Sequence, residues 1–360
     1  MIDLFPLPDP FELFRPMLSS FGGVDEVDRV RRGMWLHRTL PRPPVGCTPH
    51  EVAFRQNKLV LRAYTPSPTA PRGRLPVVVV PSLINRAYIC DLEPDRSLVG
   101  GLAALGHPVY LVDWGVPGPE DAEVGVAEVL LDLLSRALQR VCRHAGSPQA
   151  HILGYCQGGT LSAMYAALRP ARVASLVALN APVLFKDGGR FREFVSHLDV
   201  DAAIDADRLV STDVMGAAFK LLDPMGNWTK YLAIERIANS PRELGRALAR
   251  ERWLEENVPM TGTFAREFIR AAYQEDRLAA GTWQVRGEPV LLRNITCPVF
   301  VATCAKDFIT PAAAATPLAS LVGSRTTKIE LLQSGHIGVV VGSFGPKVFY
   351  PMLDRWFREV

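Results

Sequence analysis

The sequence predicts an α/β protein with a doubly wound, mostly parallel sheet and an inserted helical cap. Two observations carry the sheet. Short apolar runs such as Val77–Val80 and Val109–Val112 recur along the chain, and amphipathic helical stretches separate them. Runs of that kind suit strands buried on both faces, and their alternation with helices builds a parallel sheet. A third observation carries the cap: from about 184 to 292 the runs stop, while helical pieces and scattered aromatics continue. The expected organisation is an N-terminal arm over 1–50, a first core part over 51–183, a helical cap over 184–292 and a second core part over 293–360.

The elements follow in order. Residues 1–50 are proline-rich around one helical candidate, Val24–Leu40, and read as a surface-wrapping or partner-facing arm. Glu51–Arg55 and Leu59–Tyr64 alternate like a hairpin. Val77–Val80 is a buried strand ended by Pro81. A helical stretch at Leu98–Leu105 follows, weakened by Gly100 and Gly101. Val109–Val112 is the next strand, and Asp121–Ala145 carries helical periodicity. Ala150–Leu153 is a strand leading into a glycine-rich turn and the apolar helix through Leu168. Leu176–Leu179, Val299–Ala302 and Ile329–Leu332 complete the strands, and a helix near Lys347–Glu359 closes the chain. In the cap, most of Phe185, Phe191, Phe194, Phe219, Trp228, Tyr231, Trp253, Phe264, Phe268, Tyr273 and Trp283 are expected to form core, with a few lining a substrate passage.

With 360 residues, 48% of them hydrophobic, the chain has ample material for a large core. The formal charge of +3 is small and spread out, with no basic tract to track a nucleic-acid backbone. The N-terminus lacks a basic region followed by an apolar stretch, so no secretory signal is expected. No run of about 18 apolar residues is present, so no transmembrane segment is expected. The six cysteines and seven histidines show no metal-ligand spacing, and the cysteines are expected to be free thiols in a reducing cytoplasm.

The chemistry centres on Gly154-Tyr155-Cys156-Gln157-Gly158-Gly159, directly after the strand Ala150–Leu153. This is the strand–turn–helix setting of a nucleophile elbow, with cysteine where serine is commoner. Glycines two residues to either side of Cys156 let the turn tighten, which exposes the sulfur above the sheet. The following helix directs its N–H groups at that sulfur and favours thiolate. The alternative is an inert buried cysteine in a tight turn. The pattern points to the α/β-hydrolase fold, in which an acid and then a histidine follow the nucleophile at later strand ends. Asp307, after Val299–Ala302, and His336, after Ile329–Leu332, stand in that order. Asp307 could instead cap its loop, and His336 could instead be a satisfied loop histidine. Gly335 and Gly338 around His336 allow close approach. The oxyanion donors are expected to be the backbone N–H of Gln157 and that of Leu83 or an immediate neighbour. Asn85 and Arg86 either touch a substrate carboxyl or phosphate, or serve as a loop cap and a surface charge.

Cysteine fits acyl transfer from a thioester donor. Attack on a thioester yields another thioester at nearly equal energy, and passing the acyl group to an alcohol is then downhill. The same group also suits hydrolysis.

Several stretches together resemble the polyhydroxyalkanoate synthases, specifically the short catalytic subunit of the two-component (class III-like) type. They are Pro81–Leu92, Tyr110–Gly115, Gly154–Thr160 and Ser334–Gly338, with Tyr231, Arg250–Trp253 and Phe264–Ile269 in the cap. The chain departs in lacking the Asp-Tyr pair common early in the helix after the Asp-Trp-Gly strand. The resemblance implies that Cys156 carries the acyl chain as a thioester. His336 would be the general base, and Asp307 would orient it or help activate the incoming hydroxyl. The substrate implied is a short-chain (R)-3-hydroxyacyl-CoA, which needs no cofactor and no metal. The product would be a growing polyester chain at the surface of cytoplasmic granules. A homodimer and an accessory synthase subunit are the implied protein partners. The rivals are a Cys-dependent hydrolase similar to dienelactone hydrolase, which lacks so long a cap, and a non-catalytic granule-associated protein.

Overall fold

A continuous β-branched run between Pro76 and Pro81 becomes the innermost strand of the molecule, every residue of Val77–Val80 being fully buried. The computed structural model describes residues 24–69, 74–222 and 226–360. The chain divides into two units, Pro44–Ala217 with Trp253–Val360 and Met1–Pro43 with Ala218–Arg252.

The larger unit holds an eight-stranded sheet. Its strands are β1 (Glu51–Gln56), β2 (Leu59–Tyr64), β3 (Val77–Val80), β4 (Val109–Asp113), β5 (Ala150–Tyr155), β6 (Val173–Leu179), β7 (Val299–Cys304) and β8 (Thr327–Leu332). They lie in the order β1-β2-β4-β3-β5-β6-β7-β8. The β1–β2 and β2–β4 pairs are antiparallel, and every pair from β4 to β8 is parallel. The doubly wound, mostly parallel expectation therefore holds. Register brings the strand ends level: Tyr155 sits beside Leu179, Leu179 beside Ala302, and Cys304 beside Leu332. Loops leaving β5, β7 and β8 thus emerge on one rim of the sheet.

One element differs from the sequence reading. The helix expected over Asp121–Ala145 forms only after Gly125, as a widened π stretch Glu128–Leu134 continuing into the α-helix Ser135–Ala145. Pro119–Asp121 is a separate short turn, with Asp121 accepting from the Gly118 N–H at 2.8 Å. The helix start is capped instead by Glu128 on the Gly125 N–H and by Glu267 on the Val126 N–H, at 2.9 and 2.8 Å. β8 forms as expected but lies at the sheet edge, so Ile329 and Leu331 stay about half exposed (51% and 54%) despite their apolar character.

Between β6 and β7 the larger unit contains the helices Gly189–Ser196, Val200–Ala203, Gly262–Phe268 and Arg277–Ala280, with a π turn at Ile269–Gln274. Phe185, Phe264, Phe268 and Trp283 are buried in the same core cluster as the sheet residues Val78 and Ile152. Tyr273 packs edge-on against Phe185 and Phe191, at 4.7 and 4.9 Å between ring centroids. Phe194 and Trp228, by contrast, are largely exposed. The Phe219 side chain and the arm before Val24 lie outside the described residues.

The C-terminal helix, Tyr350–Glu359, is pinned by a buried carboxylate. Asp354 meets both Arg74 and His107 at 2.9 Å and also pairs with Arg358. In the smaller unit, the helix Val24–Thr39 packs on Gly226–Arg236. Ile234, Leu244, Ala247 and Leu248 form its core with Leu36, Leu40, Tyr231 and Ile237 against them. Glu235 bridges Arg29 and Arg32 at 2.9 and 3.1 Å.

Candidate active site

Tyr155 is the last residue of β5, and the helix Gln157–Leu168 begins two residues later, so Cys156 alone must turn the chain. It does so at φ 56°, ψ −131°. A non-glycine residue held there costs on the order of 1–3 kcal/mol, which the surrounding packing must over-determine. Its N–H is fixed on the Leu179 carbonyl at 2.9 Å. The neighbouring glycines are sterically required. A Cβ on Gly158 would sit 2.2 Å from the Val80 carbonyl oxygen, and one on Gly154 would sit 2.5 Å from the Gly159 Cα. Cys156 stays half-buried at the helix N-terminus.

The other two members arrive from later strands. After β7 the chain turns at Asp307, whose side chain is fully buried. Its Oδ1 accepts from the N–H groups of Ile309 and Thr310 at 2.9 and 2.8 Å. Oδ2 faces Nδ1 of His336 at 2.6 Å. His336, in the loop after β8, is also close enough to Cys156 for the two side chains to interact. With Nδ1 committed to Asp307, Nε2 is the nitrogen left for sulfur. Burial disfavours charge on this imidazole, but the charge of Cys156 and the hydrogen bond His336 donates to Asp307 outweigh it and push His336 up to about 10. The arrangement sets a thiol, an imidazole and a buried carboxylate in the order a nucleophile, its base and the group that orients the base require.

The remaining sequence candidates fall around this trio. Gln157 follows the nucleophile, and its side-chain Oε1 accepts the Leu83 N–H at 3.2 Å. One of the two expected oxyanion donors, the Leu83 N–H, is therefore taken by a side chain. Asn85 donates its amide to Asn257 Oδ1 at 2.9 Å, and the two residues also form an isolated antiparallel bridge. The Arg86 carbonyl accepts the Trp253 indole N–H at 2.8 Å. The Arg86 Nε is buried and finds no acceptor among the described residues.

Three further residues reach the site without having been singled out by the sequence for it. Tyr273, from the π turn, is partly buried, and desolvation followed by the charge of Cys156 raises its phenol. Tyr155 and Asn180 both donate to the His336 carbonyl. Tyr155 carried a signal in its place beside the nucleophile, and Tyr273 stood among the cap aromatics of which a few were expected to line a substrate passage; Asn180 carried none. Among the described residues no group of three or more His, Cys, Asp or Glu side chains converges in a way that could hold a metal ion. No helix among them is long and apolar enough to cross a membrane.

Residues 76–343 match the family model for the alpha/beta hydrolase fold. Residues 43–101 match the model for the N-terminus of poly-beta-hydroxybutyrate polymerase (PhaC). The poly(3-hydroxyalkanoate) polymerase subunit PhaC of Haloferax mediterranei is 32% identical over 92% of this chain and 68% of its own length. The subunit of the same description from Thiocystis violacea is 31% identical over 93% of this chain and 95% of its own. That of Allochromatium vinosum is 30% identical over 87% and 89%. Among solved structures, a Paleococcus ferrophilus monoacylglycerol lipase superposes with a TM-score of 0.52 at 16% identity, over 84% of this chain and 99% of its own, a likeness of fold alone. The near end-to-end match to the Thiocystis and Allochromatium subunits, together with a cysteine elbow on this sheet, leads to one assignment. The chain belongs to the poly(3-hydroxyalkanoate) polymerase family, acyltransferases built on the α/β-hydrolase fold.

Proposed function

We propose that the chain polymerises (R)-3-hydroxyacyl-CoA into polyhydroxyalkanoate, with Cys156 as nucleophile, His336 as general base and Asp307 as its orienting group. The observation that carries this reading is the contact of Cys156 with an imidazole whose other nitrogen is held by a buried carboxylate. The Cys156 thiolate attacks the thioester carbonyl, and the C–S bond to CoA breaks. His336 delivers its proton to the departing CoA thiolate. The 3-hydroxyl of the next unit then loses its proton to His336 and attacks the acyl–Cys156 thioester, which lengthens the ester chain and returns the thiolate. Neither half-reaction changes oxidation state, so no cofactor beyond the CoA of the substrate enters the scheme.

Each tetrahedral intermediate carries a negative oxygen, for which the Gln157 and Leu83 N–H groups are the donors. In the resting arrangement Leu83 is occupied by Gln157 Oε1, so that side chain must yield as the acyl carbonyl enters. Arg86, with its buried uncommitted Nε, is the candidate contact for the CoA phosphates, whereas the Asn85 amide is spent on holding Asn257. The reading extends to a homodimer working with an accessory subunit at the surface of polyester granules in the cytoplasm.

The purified protein is to be incubated with (R)-3-hydroxybutyryl-CoA, with thiol release followed and the product weighed. Stoichiometric CoA release with a growing polyester, trapped covalently on Cys156, is the expected result. CoA release with only free hydroxy acid would sink the polymerase reading in favour of a hydrolase.

A further inference from the structure

The loop that carries His336 is tied by backbone bonds at Ser334, Gly335 and Ile337, whereas the His336 carbonyl is met by two side chains. We infer that Tyr155 and Asn180 are positioning residues that clamp the His336 main chain and so set the imidazole against Cys156. The Tyr155 hydroxyl donates to the His336 carbonyl at 3.1 Å, and Asn180 Nδ2 donates to the same oxygen at 3.4 Å. Both side chains are buried, Asn180 completely and Tyr155 to 3% exposure. Tyr155 is the last residue of β5 and Asn180 follows directly on β6, the strand beside it. One carbonyl accepting two donors from different strands is fixed in direction as well as distance. The Tyr155 ring additionally lies 5.2 Å from the imidazole, tilted by 34°. An imidazolium so placed gains from the ring face.

Asn180 shows that the clamp has a cost. It sits at φ 46° with its Oδ1 buried and unpartnered among the described residues. A buried amide oxygen without a donor costs about 1–3 kcal/mol. Asparagine tolerates the left-handed region better than most residues, and glycine would be cheaper still. What asparagine supplies and glycine lacks is the Nδ2 donor. The Tyr155 phenol is raised well above its ordinary value by burial and then by the charge of Cys156, so it remains protonated and acts as a donor.

The test uses the full chain. Tyr155→Phe keeps the ring and removes one donor; Asn180→Asp keeps the shape and replaces the donor with an acceptor. Each is expected to lower kcat about tenfold, the equivalent of about 1.4 kcal/mol, with KM within about twofold. The discriminating readout is the rate at which iodoacetamide alkylates Cys156 as a function of pH. In the clamped protein the imidazole stands beside the sulfur, placed to take its proton. The variants are expected to alkylate several-fold more slowly near pH 6 and to converge with the parent above about pH 10. A purely structural role would shift melting temperature and leave that profile in place. Should Asn180→Asp fail to fold, Asn180→Gly relieves the backbone and still lacks the donor, and the same slowing is expected of it. An alkylation profile identical to the parent in the folded variants overturns the clamp. The alkylation assay needs no substrate. A chain that shows the slowing yet makes no polyester would overturn the proposed function and leave the clamp standing.

Discussion

At Cys156 a single residue does what the rest of the sheet is arranged to permit. Its positive φ, the two glycines that cannot carry a Cβ, and the contact with His336 converge on one sulfur. Cys156→Ala is expected to reduce CoA release by at least about 10³-fold with melting temperature within a few degrees of the parent, since it removes the nucleophile and almost no packing volume. Activity near that of the parent would refute the assignment. The titration of His336 gives a second expectation with a definite sign. Its folded value of about 10 lies above the ordinary 6.5. Its contribution to stability is therefore complete below about pH 6.5 and lost as pH rises through about 10. Denaturant midpoints at pH 7 and pH 10 should fall further in the parent than in His336→Ala. The cysteine, the aspartate and the histidine were legible from residue order alone, because each follows an apolar strand by a few positions. The Leu83–Gln157 contact was not, since it depends on which way one amide side chain turns.

Among the elements, the helix through Ser135–Ala145 shows how a remote residue sets a boundary. Periodicity over Val124–Val141 pointed to a helix from Asp121, but Gly125 and the turn at Pro119–Asp121 delay it. The Val126 N–H that opens it is satisfied by Glu267, far along the chain. Glu267→Ala is expected to cost about 1 kcal/mol, read as a lower urea midpoint with unchanged slope. A loss indistinguishable from zero would show that solvent replaces the cap. Edge strand β8 teaches the converse. Ile329–Leu332 read as a strand and is one, but it stands at the sheet margin, where Ile329 and Leu331 stay exposed. An isolated apolar run does not say how many neighbours its strand will have.

For the larger unit, the C-terminal helix is held by charge as well as by Leu353, Trp356 and Phe357 in the core. Asp354 is buried between Arg74 and His107. Against the opposing effect of burial, its bonds to His107 and Arg74 keep its carboxyl below the usual range. Asp354→Ala leaves the Arg74 guanidinium without its partner in a buried setting and is expected to cost about 3 kcal/mol or more. The pH sign is opposite to that of His336. With a depressed folded value, the Asp354 contribution is present above about pH 4 and disappears as pH falls below it. Acid unfolding monitored by tryptophan fluorescence should begin at higher pH in a chain lacking Arg74 than in the parent. Coincident curves would place the acid-labile contact elsewhere.

The sequence by itself determined the features that depend on near neighbours. Period-two and continuous apolar runs specify strands, a helix follows the elbow because glycine and small residues permit it, and strand ends place Cys156, Asp307 and His336 in chain order. The same local motifs carried the family resemblance that the relatives bear out. Tertiary structure alone decided everything that requires two distant segments to meet. It brought Asn85 to Asn257 and Tyr273 toward the sulfur, laid Gln157 Oε1 on the Leu83 N–H, and aimed Tyr155 and Asn180 at one carbonyl. The physical reason is that hydrogen-bond direction and burial are set by the packed geometry of several strands together, and a one-dimensional pattern records which residues are apolar but not which polar atoms will face each other.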